Sequence, residues 1–178
     1  MKQKRITKLA VAGIFSALAL VFLLLTATPI ATVGTAALAA VCGIPVVVES
    51  GRRAGLLHFI AVAILAWLLV PAAEGKALYT AFFGWYIVFK AWLEKKSLPR
   101  PAEWGIKTTV FLIALSGAGV LWYTLLTPAL PDWAAWWMLP VGVAVLTVIF
   151  FVYDRGLTGL VGMYIARLQP LLRRLFKF

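Results

Sequence analysis

The chain has 178 residues, of which 63% are hydrophobic and 13% charged, with a net charge of +11. Soluble domains run at about 45–50% apolar with Gly counted and about 25% charged, so these few charges cannot cover a water-soluble globule of this size. The composition excludes a soluble single domain and a disordered chain. It leaves an integral membrane protein whose basic excess faces anionic lipid rather than nucleic acid.

A membrane span needs about 20 apolar residues, and six stretches qualify. The first is Leu9–Thr28, after the basic start Lys2, Lys4, Arg5 and Lys8. Its apolar run is too long for a signal-peptide core, and Thr26-Ala27-Thr28-Pro29 is a poor cleavage site. The second is Thr32–Val48, with Pro45 near its end as a possible kink. The third is Ala54–Val70. Both are short, so a re-entrant segment is the alternative for one of them. The fourth is Ala77–Phe89, extendable to Trp92; the fifth is Thr108–Leu126; the sixth is Trp136–Val152, running on towards Tyr153. Pro29, Pro71, Pro128 and Pro131 stand in the gaps, where helices stop. The expected fold is an all-α membrane protein, a six-helix transmembrane bundle over 1–155, followed by an amphipathic basic cytoplasmic tail over 156–178. In that tail Leu157, Leu160, Val161, Tyr164, Ile165 and Leu168 recur at helical spacing, and Arg167, Arg173, Arg174 and Lys177 supply charge for the inner leaflet.

Charge tests this division. Sixteen of the seventeen Lys and Arg fall at the N-terminus, the 49–53 turn, the 90–107 loop and the tail; only Lys76 lies opposite. Such asymmetry predicts a multi-pass cell-membrane protein with both termini cytoplasmic. Trp67, Trp122, Trp133, Trp136 and Trp137 fall near the outer boundary, and Trp92 and Trp104 near the inner one, as an aromatic belt does. No Asp, Glu, Lys or Arg stands at the centre of a span, which argues against a proton-coupled pump built on this chain alone.

The polar residues offer few sites. Glu49 and Asp154 end spans two and six, each followed by Arg, which reads as local pairing at headgroup level or as a docking surface for a cytoplasmic partner. His58 reads as a hydrogen-bonded packing residue or as a proton relay. The lone Cys42 and lone His58 cannot make a metal site, and no cofactor is expected. Outside, Glu74, Lys76 and Asp132 stand near Tyr79, Trp122, Tyr123, Trp133 and Trp136. Aromatic walls with a few polar groups make either a ligand cup or an ordinary interfacial belt. In the cup, Glu74, Tyr79, Trp122, Tyr123, Asp132, Trp133 and Trp136 would bind a planar or cationic small molecule. No enzyme motif survives. GxxxxGK[ST] and HExxH are absent, and Ala114-Leu-Ser116-Gly117 lacks the first Gly of the intramembrane serine protease motif, while the only His lies upstream of it. The chain reads as a non-enzyme.

Span one carries Ala12-xxx-Ser16 and Gly13-xxx-Ala17, small residues four apart that let helices approach closely in lipid. The stretch Lys8-Leu-Ala-Val-Ala12-Gly13-Ile-Phe-Ser16-Ala17-Leu-Ala-Leu, with six short spans and both ends inside, resembles the first helix and layout of the substrate-binding S components of energy-coupling-factor vitamin transporters. The resemblance covers the chain as topology and about ten residues as motif. It implies that Ala12, Gly13, Ser16 and Ala17 contact a transmembrane coupling subunit, that separate ATPases supply energy, and that this chain captures a small, vitamin-like molecule from outside for uptake. The alternative is a non-transporting scaffold within a larger membrane complex.

Overall fold

The computed structural model describes residues 2–28, 32–96, 98–126 and 138–170, with the backbone alone at 2–5, 118, 121–126 and 138–139. Every regular element among them is helical. Helix α1 covers Lys2–Leu24 and tightens into a 3-10 turn, Leu25–Ala27. Helices α2 (Thr32–Val41) and α3 (Gly43–Ser50) form one rod with a break at Cys42. Helix α4 covers Arg52–Leu69. Helix α5 (Ala73–Leu78) passes through a π-turn, Tyr79–Phe83, into α6 (Gly84–Glu94). Helix α7 covers Arg100–Leu126. Helix α8 (Met138–Met163) ends in a second π-turn, Tyr164–Leu168.

These rods overlap the six expected spans. Among the described residues four stretches, Ile6–Ala27, Thr32–Ser50, Arg52–Leu69 and Pro140–Leu168, are long and apolar enough to cross a membrane. The other two rods, 73–94 and Arg100–Leu126, overlap the expected fourth and fifth spans. The break in the second rod has a local cause. Pro45 has no N–H to offer the Val41 carbonyl, and its ring crowds that carbonyl. At the break itself, the Cys42 N–H and Sγ are both directed to the Leu38 carbonyl, at 3.3 and 3.5 Å. Gly51 turns the chain from α3 to α4 at φ +85°, a conformation that favours glycine.

Packing is tightest where small residues face bulky ones. A Cβ on Gly84 would sit 2.5 Å from Phe59 Cδ2, and one on Gly55 would collide with Val47. The centre is aromatic. Phe82 stacks on Tyr86 at 4.8 Å, Phe111 lies nearly parallel to Phe150 at 4.5 Å, and Tyr86 meets Phe150 edge-on at 5.5 Å. Outward faces are apolar too. Leu9, Leu57, Leu68, Ile113 and Val152 are exposed, on helices α1, α4, α7 and α8. Each such side chain would forgo about 1.5–3 kcal/mol of burial in water, so lipid is the solvent these faces suit.

Helix α8 runs unbroken through residue 156, where the tail was expected to begin. Leu157 and Tyr164 are buried in the common core, so the first half of the expected tail packs as part of the bundle. Residues 171–178, with Arg173, Arg174 and Lys177, lie outside the described residues.

Candidate functional site

The expected outer cup is only partly described. Glu74 is exposed in the first turn of α5. Tyr79, five residues on, is 1% exposed, with its ring in the core 6.0 Å from Phe59. Trp122 and Tyr123 belong to α7, with the backbone alone described, and Asp132, Trp133 and Trp136 lie outside the described residues. What surrounds Glu74 is knit to itself. Lys76 donates to the Val70 carbonyl at 3.0 Å and lies over the Trp67 ring at 5.0 Å. Trp67 Nε1 donates to Thr80 Oγ1 at 3.1 Å, and Thr80 donates to the Lys76 carbonyl at 2.7 Å.

The small residues of α1 divide between two faces. Ser16 Oγ shares a 2.8 Å hydrogen bond with His58 Nδ1 of α4, and Ala12, one turn earlier, is half-buried. Gly13 and Ala17 are exposed, and a Cβ on Gly13 would meet nothing within 4 Å. Ala12 and Ser16 therefore serve the bundle, while Gly13 and Ala17 face outward.

The strongest electrostatic feature was not anticipated. Asp154, Lys90 and Lys107 are 2%, 4% and 3% exposed. Lys90 Nζ and the Tyr86 hydroxyl both donate to Asp154 Oδ1, at 2.5 and 2.7 Å, and Lys107 Nζ donates to Oδ2 at 3.1 Å. Lys90 also pairs with Glu94 at 2.9 Å, and Lys107 with Glu103 at 2.6 Å. One carboxylate thus joins α6, α7 and α8. This corrects the headgroup pairing expected of Asp154 with its neighbour. Arg155 instead lies over the Trp104 ring at 5.4 Å. Lys90 and Lys107, counted from sequence as loop charges, are interior. Burial of two ammonium groups and a carboxylate is tolerable only because each finds opposite charge and the carboxylate accepts three donors. With its oxygens so occupied, the cluster is built to hold helices together. Among the described residues no group of His, Cys, Asp and Glu could hold a metal ion.

Among the described residues, the apolar cavities between helices include two of larger size. The larger, about 360 Å³, is walled by Phe15 and Phe22 of α1, Leu38 and Val41 of α2, and Leu160 and Tyr164 near the end of α8. The smaller, about 140 Å³, lies between Val33, Leu78, Phe111 and Leu146. No family model matches the chain, and neither a curated protein nor a solved structure matches it.

Proposed function

We propose that the chain is a six-span protein of the cell membrane, with both termini cytoplasmic, that captures a small molecule for uptake while separate ATPase and coupling subunits supply the energy. The observation that carries this reading is the apolar cavity of about 360 Å³ between α1, α2 and α8. Ligand pockets run from about 300 to 1,000 Å³ and are mostly apolar. The lining favours an apolar or planar ligand over a free cation. Glu74 and the aromatic residues Trp122, Tyr123, Trp133 and Trp136, with Asp132, would receive the ligand on the outer side. Gly13 and Ala17, exposed and free of steric cover, would meet the coupling subunit. The test is native mass spectrometry of gently purified protein. A retained small molecule, lost when Leu38→Trp and Val41→Phe fill the cavity, is the expected result. An empty wild-type protein with no uptake in cells carrying the coupling subunits would overturn it.

A scaffold without a ligand is the second reading. It is favoured by the self-satisfied network of Lys76, Trp67 and Thr80 on the expected outer face and by Tyr79 turning into the core. Co-purification decides between them. Under the scaffold reading Gly13→Leu and Ala17→Leu release a protein partner while no variant alters a bound small molecule.

A further inference from the structure

A separate groove, of about 370 Å³, opens between the first turn of α4 and the outward face of α6. Its α6 wall is a ladder of rings. Trp85, Phe89 and Trp92 are spaced four and three residues apart, so they stack up one helix face. Trp85 meets Phe89 edge-on at 6.0 Å, Phe89 meets Trp92 at 5.9 Å, and Lys96 Nζ stands 3.9 Å over the Trp92 ring. The rings span about 10 Å along the axis, at 1.5 Å per residue. The facing wall is Leu56, with Arg52 one turn before it and Arg53 beside that. Both arginines are exposed, and neither makes an ion pair among the described residues. The groove therefore has a cationic rim of Arg52, Arg53 and Lys96 at one end and an apolar, aromatic floor below it.

We propose that this groove binds one anionic phospholipid, its phosphate at Arg52 and Arg53 and an acyl chain along Leu56, Phe89 and Trp85. The charge complementarity is specific in kind. Guanidinium groups bind phosphate oxygens bidentately, and a basic pocket between helices at the cytoplasmic end is where anionic headgroups are held. A zwitterionic lipid would offer the same chains and phosphate, but its quaternary ammonium would be brought against three cations. A free phosphate would use the rim and leave the floor unfilled.

The full chain, purified in mild detergent and titrated with phosphatidylglycerol or phosphatidylcholine of matched chains, gives the test by native mass spectrometry. The wild type should take up one phosphatidylglycerol with a preference of about thirtyfold or more over phosphatidylcholine, the scale expected of two or three basic contacts. Arg52→Gln with Arg53→Gln should erase the preference. Trp92→Ala with Leu56→Ser should weaken both lipids while leaving the preference for the anionic head. Lys8→Gln with Arg100→Gln removes the same charge from exposed positions off the groove and should change nothing. Arg52→Lys with Arg53→Lys should restore part of the preference and separates charge from misfolding. Equal uptake of the two lipids by the wild type, or equal loss in the Lys8/Arg100 control, overturns the proposal. So does full competition by inorganic phosphate with no effect of Trp92→Ala and Leu56→Ser, which would reduce the site to a phosphate subsite.

Discussion

Asp154 accepts from Lys90, Lys107 and Tyr86 at once, so its side chain answers for more stability than its position in the sequence advertises. Asp154→Ala leaves two buried ammonium groups short of an anion and is expected to cost about 3–5 kcal/mol. Tyr86→Phe removes one hydrogen bond to the carboxylate and should cost about 1.5–3 kcal/mol. The pair Lys90→Met with Asp154→Leu, which removes charge from both sides, should recover much of the loss, since Lys107 keeps Glu103. Unfolding midpoints in detergent check the order, and a wild-type midpoint for Asp154→Ala would refute it. Glycines make a further contrast. Gly84→Ala would place a methyl against Phe59 and Tyr79 and is expected to cost about 1–3 kcal/mol. Gly13→Ala meets open space and should stabilise α1 by about 0.5–1 kcal/mol; the same melts measure both. The polar cluster was the least legible part of the sequence. Positions 90, 107 and 154 share no spacing, and Lys90 and Lys107 bound a stretch rich in Lys, Glu and Pro that reads as a loop. The one available signal was Asp154 itself, the only acidic residue in the 26 residues of α8.

At the scale of elements, hydropathy and proline placement located the rods well, because a long apolar helix has a coarse signature that no tertiary contact can hide. The break at Cys42 followed from Pro45 by elementary sterics. The two π-turns did not follow from anything periodic, since one extra residue in a turn leaves the local composition unchanged. The first of them begins at Tyr79, which is buried in the core rather than open to the expected cup. The extra residue also has a testable use. Deleting Ala81 converts the π-turn to regular helix and keeps α5 and α6 on their own faces, so Lys90 still reaches Asp154. Deleting Val88 rotates Lys90 by about 100° relative to Tyr86, given 3.6 residues per turn. The first variant should remain monodisperse with a modest loss of stability, and the second should aggregate. Size-exclusion profiles of both in one detergent give the answer, and equal behaviour would deny the π-turn that role.

For the whole molecule, the proposed topology rests on charge asymmetry, and it makes a prediction that the helix positions alone do not. Reporter fusions after Lys76 and Asp132 should score outside and one after Lys96 inside; a cytoplasmic signal at 76 would invert or break the arrangement. The six-rod division and its apolar outer faces were readable from the sequence, because lipid imposes nearly the same demand on every helix. The division of Ala12, Gly13, Ser16 and Ala17 between two faces was not readable, because small residues four apart are alike whether they serve the bundle or a partner. It took His58, forty-two residues on, to draw Ser16 inward. Helix α8 runs across the expected boundary at 155/156. The amphipathic pattern from Leu157 to Leu168 marks a helix with one buried face, and pattern alone does not say whether lipid headgroups or the chain's own α3 and α1 do the burying.

The carboxylate that joins α6, α7 and α8 also sets a timetable. A ribosome delivers Lys90 and Lys107 well before Asp154, so during synthesis both lysines must wait, with only Glu94 and Glu103 beside them, for a helix that has not yet entered the bundle. Until then the two ammonium groups lack the carboxylate that the last helix brings, and a cation left short of its anion away from water is costly. A chain stopped at residue 137 should therefore turn over faster in a pulse-chase than the full chain, and Lys90→Met with Lys107→Met should lengthen the life of the fragment while leaving it unfinished. If the fragment's lifetime ignores both lysines, the junction is a fastening and has no part in proofreading.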